Sequence, residues 1–217
     1  MFAQVIVGRV AAPGELEQSM RRWAAHLAPR VAGWHGGGGG ITADGDFVGV
    51  ALFASPEAAR HHSDRADQHQ WWMETAKTFH AEPRFHDCDR PVPLLAGPVA
   101  AGHLCVLHGH TRAPERVREL CADRGVGPRL AAARPDLRGG LWCVGDDGTA
   151  HLALYLAAPL SAGTDPWPGV SAALGRYEAL VSPQACYGVP RPWYFPGGPP
   201  AAAGGRGVPA LWGADGA

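Results

Sequence analysis

"VIVGRVAAPGEL" (Val5–Leu16) and "VLHGHTRAPERV" (Val106–Val117) are two readings of one pattern within a single chain. Gly8 aligns with Gly109, and Ala12-Pro13 with Ala113-Pro114. A second pair follows in the same order, "DGDFVGVALFAS" from Asp44 to Ser55 against "DGTAHLALYLAA" from Asp147 to Ala158. The offsets, 101 and 103 residues, nearly agree. Two anchors at matching spacing predict a duplicated unit of about a hundred residues, because repeated architectures show first as self-similarity at a fixed period.

The first unit reads β-α-β-β-α-β. Val5 and Val7 lie in an apolar strand that Ala12-Pro13-Gly14 ends with turn chemistry. Leu16, Met20, Trp23, Ala24 and Leu27 then recur at helical spacing, the stripe of a helix laid on a sheet. Trp34–Thr42 and Phe47–Phe53 flank "ADGD", a hairpin signal. Ser55-Pro56-Glu57 opens the next helix, with Ser as N-cap and Pro in the first turn. That helix is expected to break near Ser63-Asp64, one of which caps its continuation, and Pro83–Cys88 supplies the last strand. The second unit repeats the plan: strand 104–110, helix after Pro114, strands 141–144 and 151–156 around a "DDG" turn, helix 170–180 and strand 185–189. The expected division is therefore unit 1–90, linker 91–101, unit 102–189, and a Pro/Gly-rich tail 190–217. The tail's aromatic start, to about Phe195, is expected to pack on the body and the rest to stay extended or disordered.

Composition narrows the function. With 217 residues and 46% hydrophobic content the chain can bury a proper core. Net charge is -1, pI is about 6.8, and the Arg residues are scattered, which gives no electrostatic footprint for nucleic acid or an anionic membrane. Five cysteines, odd in number and without a C-x-x-C pair, fit buried thiols in a reducing compartment. The start "MFAQVIVGRV" lacks a basic flank and a long apolar run, so a soluble cytoplasmic protein is expected. The run Gly36–Gly40 lacks the Lys-Ser/Thr of a phosphate loop and the context of a dinucleotide fingerprint. It reads instead as a bulged strand or a place where a ligand approaches the backbone.

The opening "VIVGRV", Gly33-Trp34 before the hairpin, "FVGVALFASPEAA" (Phe47–Ala59) and "SDRADQHQWW" (Ser63–Trp72) carry a resemblance to the antibiotic biosynthesis monooxygenase-like domains of the dimeric α+β barrel superfamily. The resemblance spans about residues 1–189, closely in the first unit and loosely in the second. It implies an α+β fold of tandem ferredoxin-like βαββαβ units, closing into an intramolecular, pseudo-dimeric barrel. A four-stranded sheet with helices on one face leaves the other bare, and two such faces bury each other. A monomer, or a homodimer of such pseudo-dimers, is implied.

The resemblance also implies a small-molecule pocket between a sheet and its two helices. First-unit candidates to line it are Trp34, His62, His69, Trp71, Trp72, Phe79 and His80. His69, Trp72, Ala76 and Phe79 can share a helix face at steps of three, four and three. His108 and His110 share a strand face with the apolar Leu104 and Val106, which reads first as a buried, hydrogen-bonded pair and second as candidates to hold or protonate a ligand; Trp142, Tyr155 and Tyr177 are further candidates.

The implied chemistry is a cofactor-independent oxygenase of specialised metabolism acting on an aromatic or polycyclic, polyketide-like substrate with dioxygen. His69 or His62 is the base, and Trp72 and Trp34 shape an apolar cavity. Cyclisation or isomerisation needs the same base and pocket, and a non-catalytic metabolite- or heme-binding protein needs the pocket alone. No metal is expected, because the spacing of His61, His62 and His69 matches no metal signature and no carboxylate completes one. Heme-degrading enzymes of the same fold pair an axial His with pocket Trp and Asn. His62 stands here where those relatives carry Asn, which weighs against heme.

Overall fold

A computed structural model describes residues 1–95, 101–123, 125–158 and 180–196. The first unit runs β1 (Phe2–Arg9), α1 (Pro13–His26), β2 (Trp34–Ile41), β3 (Asp46–Phe53), α2 (Pro56–Ser63), α3 (Ala66–Thr75) and β4 (Arg84–Cys88). After β5 (Val92–Leu95) come β6 (His103–His110), α4 (Pro114–Cys121), α5 (Val126–Ala133), β7 (Leu137–Val144), β8 (Thr149–Leu156), β9 (Ser182–Pro190) and β10 (Trp193–Pro196). The helix expected over 170–180 falls mainly on residues outside those described. No described helix is long and apolar enough to cross a membrane.

The fold is α+β, with two five-stranded antiparallel sheets in the orders β10-β2-β3-β1-β4 and β5-β7-β8-β6-β9. Set aside the outermost strand on one edge of each, and β2-β3-β1-β4 matches β7-β8-β6-β9 strand for strand. Those two edge strands correct the expected division. Val92–Leu95 is part of the expected linker, yet pairs with β7 of the second sheet. Trp193–Pro196 belongs to the expected tail and pairs with β2 of the first sheet. The apolar run 92–95 among prolines reads as linker, and the aromatic run to Phe195 only as packing on the body, but each meets an open sheet edge whose N–H and C=O groups need partners.

Alternation along each strand sorts the faces. Ala3, Val5, Val7, Val48, Val50 and Leu52 turn away from the helices and form one buried cluster with Leu104, Val106, Leu141, Cys143, Ala153, Tyr155 and Val189 of the other sheet. A Cβ on Gly40 would come within 2.5 Å of the Val189 side chain, which shows how closely β2 approaches β9. Each fully buried Val or Leu stabilises by roughly 1.5–3 kcal/mol. Uncovering the first sheet's half of this cluster would therefore consume a stability of the size typical of a whole domain, about 5–15 kcal/mol.

The helix-facing side of each sheet carries its own core, around Trp23 in the first unit and around Leu130 and Trp142 in the second. Local sequence sets the helix limits. Ser55 caps α2, its Oγ accepting from the Ala58 N–H at 3.2 Å, with Pro56 in the first turn. The break before α3 falls where expected, but neither Ser63 nor Asp64 caps the continuation. Ser63 Oγ donates back to the Ala59 carbonyl, and Arg65 takes the cap position in an extended conformation. Its guanidinium is held there by both carboxylate oxygens of Asp67 and by the Arg30 carbonyl.

Candidate functional site

Under α1, α2 and α3, on the helix side of the first sheet, lies a cavity of about 380 Å³. Its floor is low because β2 and β3 present Gly37, Gly39, Gly49 and Ala51 there, paired as Gly37↔Ala51 and Gly39↔Gly49. The glycine run also carries the expected irregularity, a register shift between Trp34 and Gly36, with Gly36 at a φ of 118°. Phe195, opposite Gly37 on β10, walls one side.

The roof is locked by polar contacts between α1 and α3. Trp23 Nε1 donates to Gln68 Oε1 at 2.8 Å, Trp71 Nε1 donates to the Ser19 carbonyl at 3.3 Å, and the hydroxyls of Ser19 and Thr75 lie 2.6 Å apart. Buried polar atoms that find partners rigidify the walls they belong to.

His62 projects from the last turn of α2 into this wall and is 7% exposed. Its ring packs against Trp23 and Phe53, with centroids 6.0 and 5.7 Å away. Nδ1 has no hydrogen-bond partner among the described residues. Burial, with the nearby Arg65 charge second, pulls its pKa down to about 4, so the ring is neutral at pH 7. A neutral imidazole with an unpartnered nitrogen in an apolar wall can accept a proton or hydrogen-bond a ligand.

Of the expected site residues, Trp34, His62, His69, Trp71, Trp72 and Phe79 converge on this cavity. His69 is exposed, at its rim. Phe79 lies beyond the end of α3 yet still meets Trp72, ring centroids 6.5 Å apart.

Three others lie elsewhere. Phe79 turns inward beside its bridge to Val10, so His80 turns out to solvent while its N–H bonds to the Arg9 carbonyl. His108 and His110 lie on the face of β6 that looks toward the first sheet, remote from the helix-side cavity. His108 meets His151, and His110 Nε2 lies 3.2 Å from the Asp147 carbonyl. Their shared strand face was legible, but not that it closes the space between sheets. Tyr177 lies outside the described residues; Trp142 and Tyr155 are buried in the second unit's outer core and the inter-sheet core.

Trp23, Phe53, Gln68, Thr75 and Phe195 line the cavity without having been singled out. Trp23 was visible only as one member of the α1 stripe.

No family model matches the sequence, and no curated protein matches it. Solved structures do. A "putative monooxygenase" from Lactobacillus acidophilus NCFM is 12% identical with a TM-score of 0.63, and covers 91% of this chain and 97% of its own. A second "putative monooxygenase", from Fusobacterium nucleatum subsp. nucleatum ATCC 25586, is 7% identical with a TM-score of 0.66, covering 91% and 94%. An anthrone oxidase-like protein is 12% identical with a TM-score of 0.61, covering 89% and 92%. Coverage this high takes in both sheets, and identity this low speaks for architecture alone. The chain shares the two-sheet α+β fold of these monooxygenase-like proteins.

Proposed function

We propose that the chain is a cofactor-independent oxygenase, built from two fused antibiotic biosynthesis monooxygenase-like units, that oxidises a small aromatic or polycyclic metabolite in the cavity beneath α1, α2 and α3. The observation that carries this reading is His62, a neutral imidazole whose Nδ1 has no partner among the described residues, in the aromatic wall of a cavity of about 380 Å³. That volume lies within the range of small-molecule sites. The names of the structural neighbours agree with the reaction class.

The chemistry asks for one proton acceptor and a dry chamber. A substrate methylene or phenol flanked by aromatic rings yields a proton to His62 and becomes an electron-rich carbanion. With its pKa pulled down to about 4 by burial, His62 is a weak base. The imidazolium–enolate pair formed by transfer is stabilised by its own attraction in a medium of low dielectric constant, which lifts that pKa when it matters. The carbanion reduces dioxygen, and the two combine as a peroxide that takes the proton back. Loss of water leaves a carbonyl. For a methylene the balance is Ar2CH2 plus O2 to Ar2CO plus H2O, with the enzyme unchanged. His69 at the rim relays protons to solvent, while Trp34, Trp71 and Trp72 hold the rings and exclude water.

Heme fits the lining poorly. The cavity presents Gln4, His62, Ser63, Gln68, His69 and Thr75 as its polar groups and no Lys or Arg for the propionates.

Oxygen uptake with a panel of tricyclic substrates bearing a doubly activated methylene tests the proposal. Wild type should consume one O2 per carbonyl formed, without added metal or flavin, and His62→Ala should lose at least a hundredfold. Anaerobic conversion would favour cyclisation or isomerisation. Tight binding with no turnover would favour a carrier, and a Soret band in the purified protein would overturn the cofactor-free reading.

A further inference from the structure

Three histidines meet between the two sheets, on the far side of the first sheet from the cavity. His86 comes from β4, His108 from β6 and His151 from β8, and one ring nitrogen of each lies within 4.8 Å of those of the other two. His108 and His151 are cross-strand partners, with His108 Nδ1 2.9 Å from His151 Nε2. The His86 ring lies 5.4 Å from that of His108 and 5.0 Å from that of His151.

The structure assigns to this cluster a binding site for a divalent transition cation, zinc by preference, that joins the first sheet to the second.

The donor set argues the metal class. Three imidazoles suit zinc, copper, nickel and iron and disfavour calcium and magnesium, which want oxygen. Zn–N bonds of about 2.0–2.1 Å set the nitrogens roughly 3.3 Å apart in a tetrahedral site. The 2.9 Å pair has to open by only a few tenths of an ångström, and the widest separation to close by about 1.5 Å, within the reach of side-chain rotation. Burial, joined for His108 and His151 by repulsion from neighbouring imidazoles, lowers the pKa of all three and leaves the neutral form that ligates.

Access and charge point the same way. His86 lines a second cavity, of about 320 Å³, whose other walls are Phe85, Asp87, Asp89, Asp146 and Asp147. Four carboxylates around one opening draw a cation in, and the opening leaves room for water at the fourth position. Arg84, which acts against a positive charge on His86 and His108, opposes them from the same strand as His86, and His110 stands beside Asp147. Arg118 also pairs with Asp146, so the four carboxylates exceed Arg84, Arg118 and His110 by one.

The test is titration of chelator-treated full-length protein with ZnCl2 by calorimetry, with thermal melts in parallel. Wild type should take up one equivalent, and its Tm should rise by roughly 5–10 °C at a hundredfold excess over Kd. His86→Gln and His108→Gln should each lose tenfold or more in affinity, while the exposed His61→Gln and the cavity variant His62→Phe should bind as wild type does. Anomalous diffraction at the zinc edge from soaked wild-type crystals locates the ion even if a variant fails to fold. Absence of stoichiometric binding, binding indifferent to His86→Gln and His108→Gln, or an anomalous peak at any other set of residues would overturn the assignment.

Discussion

The imidazole of His62 stands edge-on to the indole of Trp23, ring centroids 6.0 Å apart and planes at 73°. Trp23 is itself fixed by its bond to Gln68, so the histidine is held by a wall that cannot turn aside. Such a contact positions a polar atom in an apolar chamber at the expense of its solvation.

His62→Phe should therefore remove activity, by about 10²–10⁴-fold as for a lost acid–base group, without lowering stability at pH 7.5. It keeps a planar ring, places its extra volume in the adjoining cavity, and removes an unpartnered buried nitrogen. The pH dependence has a definite sign. Because the folded pKa of about 4 lies below the reference value of 6.5, the unfolded chain binds the proton first, and stability falls as pH drops from about 6.5 to 4 before this contribution levels off. Urea midpoints at pH 7.5 and 4.5 should differ less for His62→Phe than for wild type; an equal difference would show that His62 does not titrate this way.

Two glycines should respond in opposite ways. A Cβ on Gly39 would lie 2.5 Å from the Val48 carbonyl oxygen and 2.6 Å from the Gly49 Cα, both backbone atoms that cannot rotate away. Gly39→Ala should destabilise by about 1–3 kcal/mol through overpacking. Gly14, in the first turn of α1, has nothing within 4 Å of the same position. Gly14→Ala should be neutral or stabilising by up to about 1 kcal/mol. Chemical denaturation of the two variants decides.

Phe195→Ala should cost about 3–5 kcal/mol, the range for a buried phenylalanine, because the ring is 8% exposed and packs against Trp23 at 5.7 Å. It should also weaken binding of any cavity ligand, since the same ring walls the chamber. Melting temperature and ligand affinity measured together test both effects; a variant as stable as wild type would mean that β10 does not hold its place.

Cys105 and Cys186 lie on neighbouring strands with their sulfurs 3.3 Å apart, the first buried and the second exposed. A hydrogen bond from Cys105 lowers the Cys186 pKa, which favours the thiolate there. Dilute hydrogen peroxide should convert this pair to a disulfide, two thiols and one peroxide giving the bond and two waters. Intact-mass and peptide analysis should find that crosslink in wild type and miss it in Cys186→Ser.

The strand and helix plan was legible because its signals are local. The β-branched apolar run Val5-Ile6-Val7, the Asp-Gly turn and the Ser55-Pro56 start each act within a few residues. Five of the expected site residues reached one cavity because β2, α2 and α3, which carry them, border the same side of one sheet, and Phe79 joins them from the turn that follows α3. What stayed hidden depended on distant pairing. Nothing in "PRPWYFPGG" says which open edge it will meet, and nothing near His108 announces His86 or His151, which arrive on other strands. Alternation puts His108 and His110 on one face of β6, but which layer that face closes is decided by the partner sheet, and His110 at the strand's end is exposed there rather than buried.

The exchange of edge strands carries a consequence for biosynthesis. Since β10 pairs with β2, the first half of the chain emerges from the ribosome with a raw border and an unfinished chamber. The cavity is walled on that side only after Phe195 has been translated, so a nascent polypeptide stalled before that point carries His62 without the enclosed space around it.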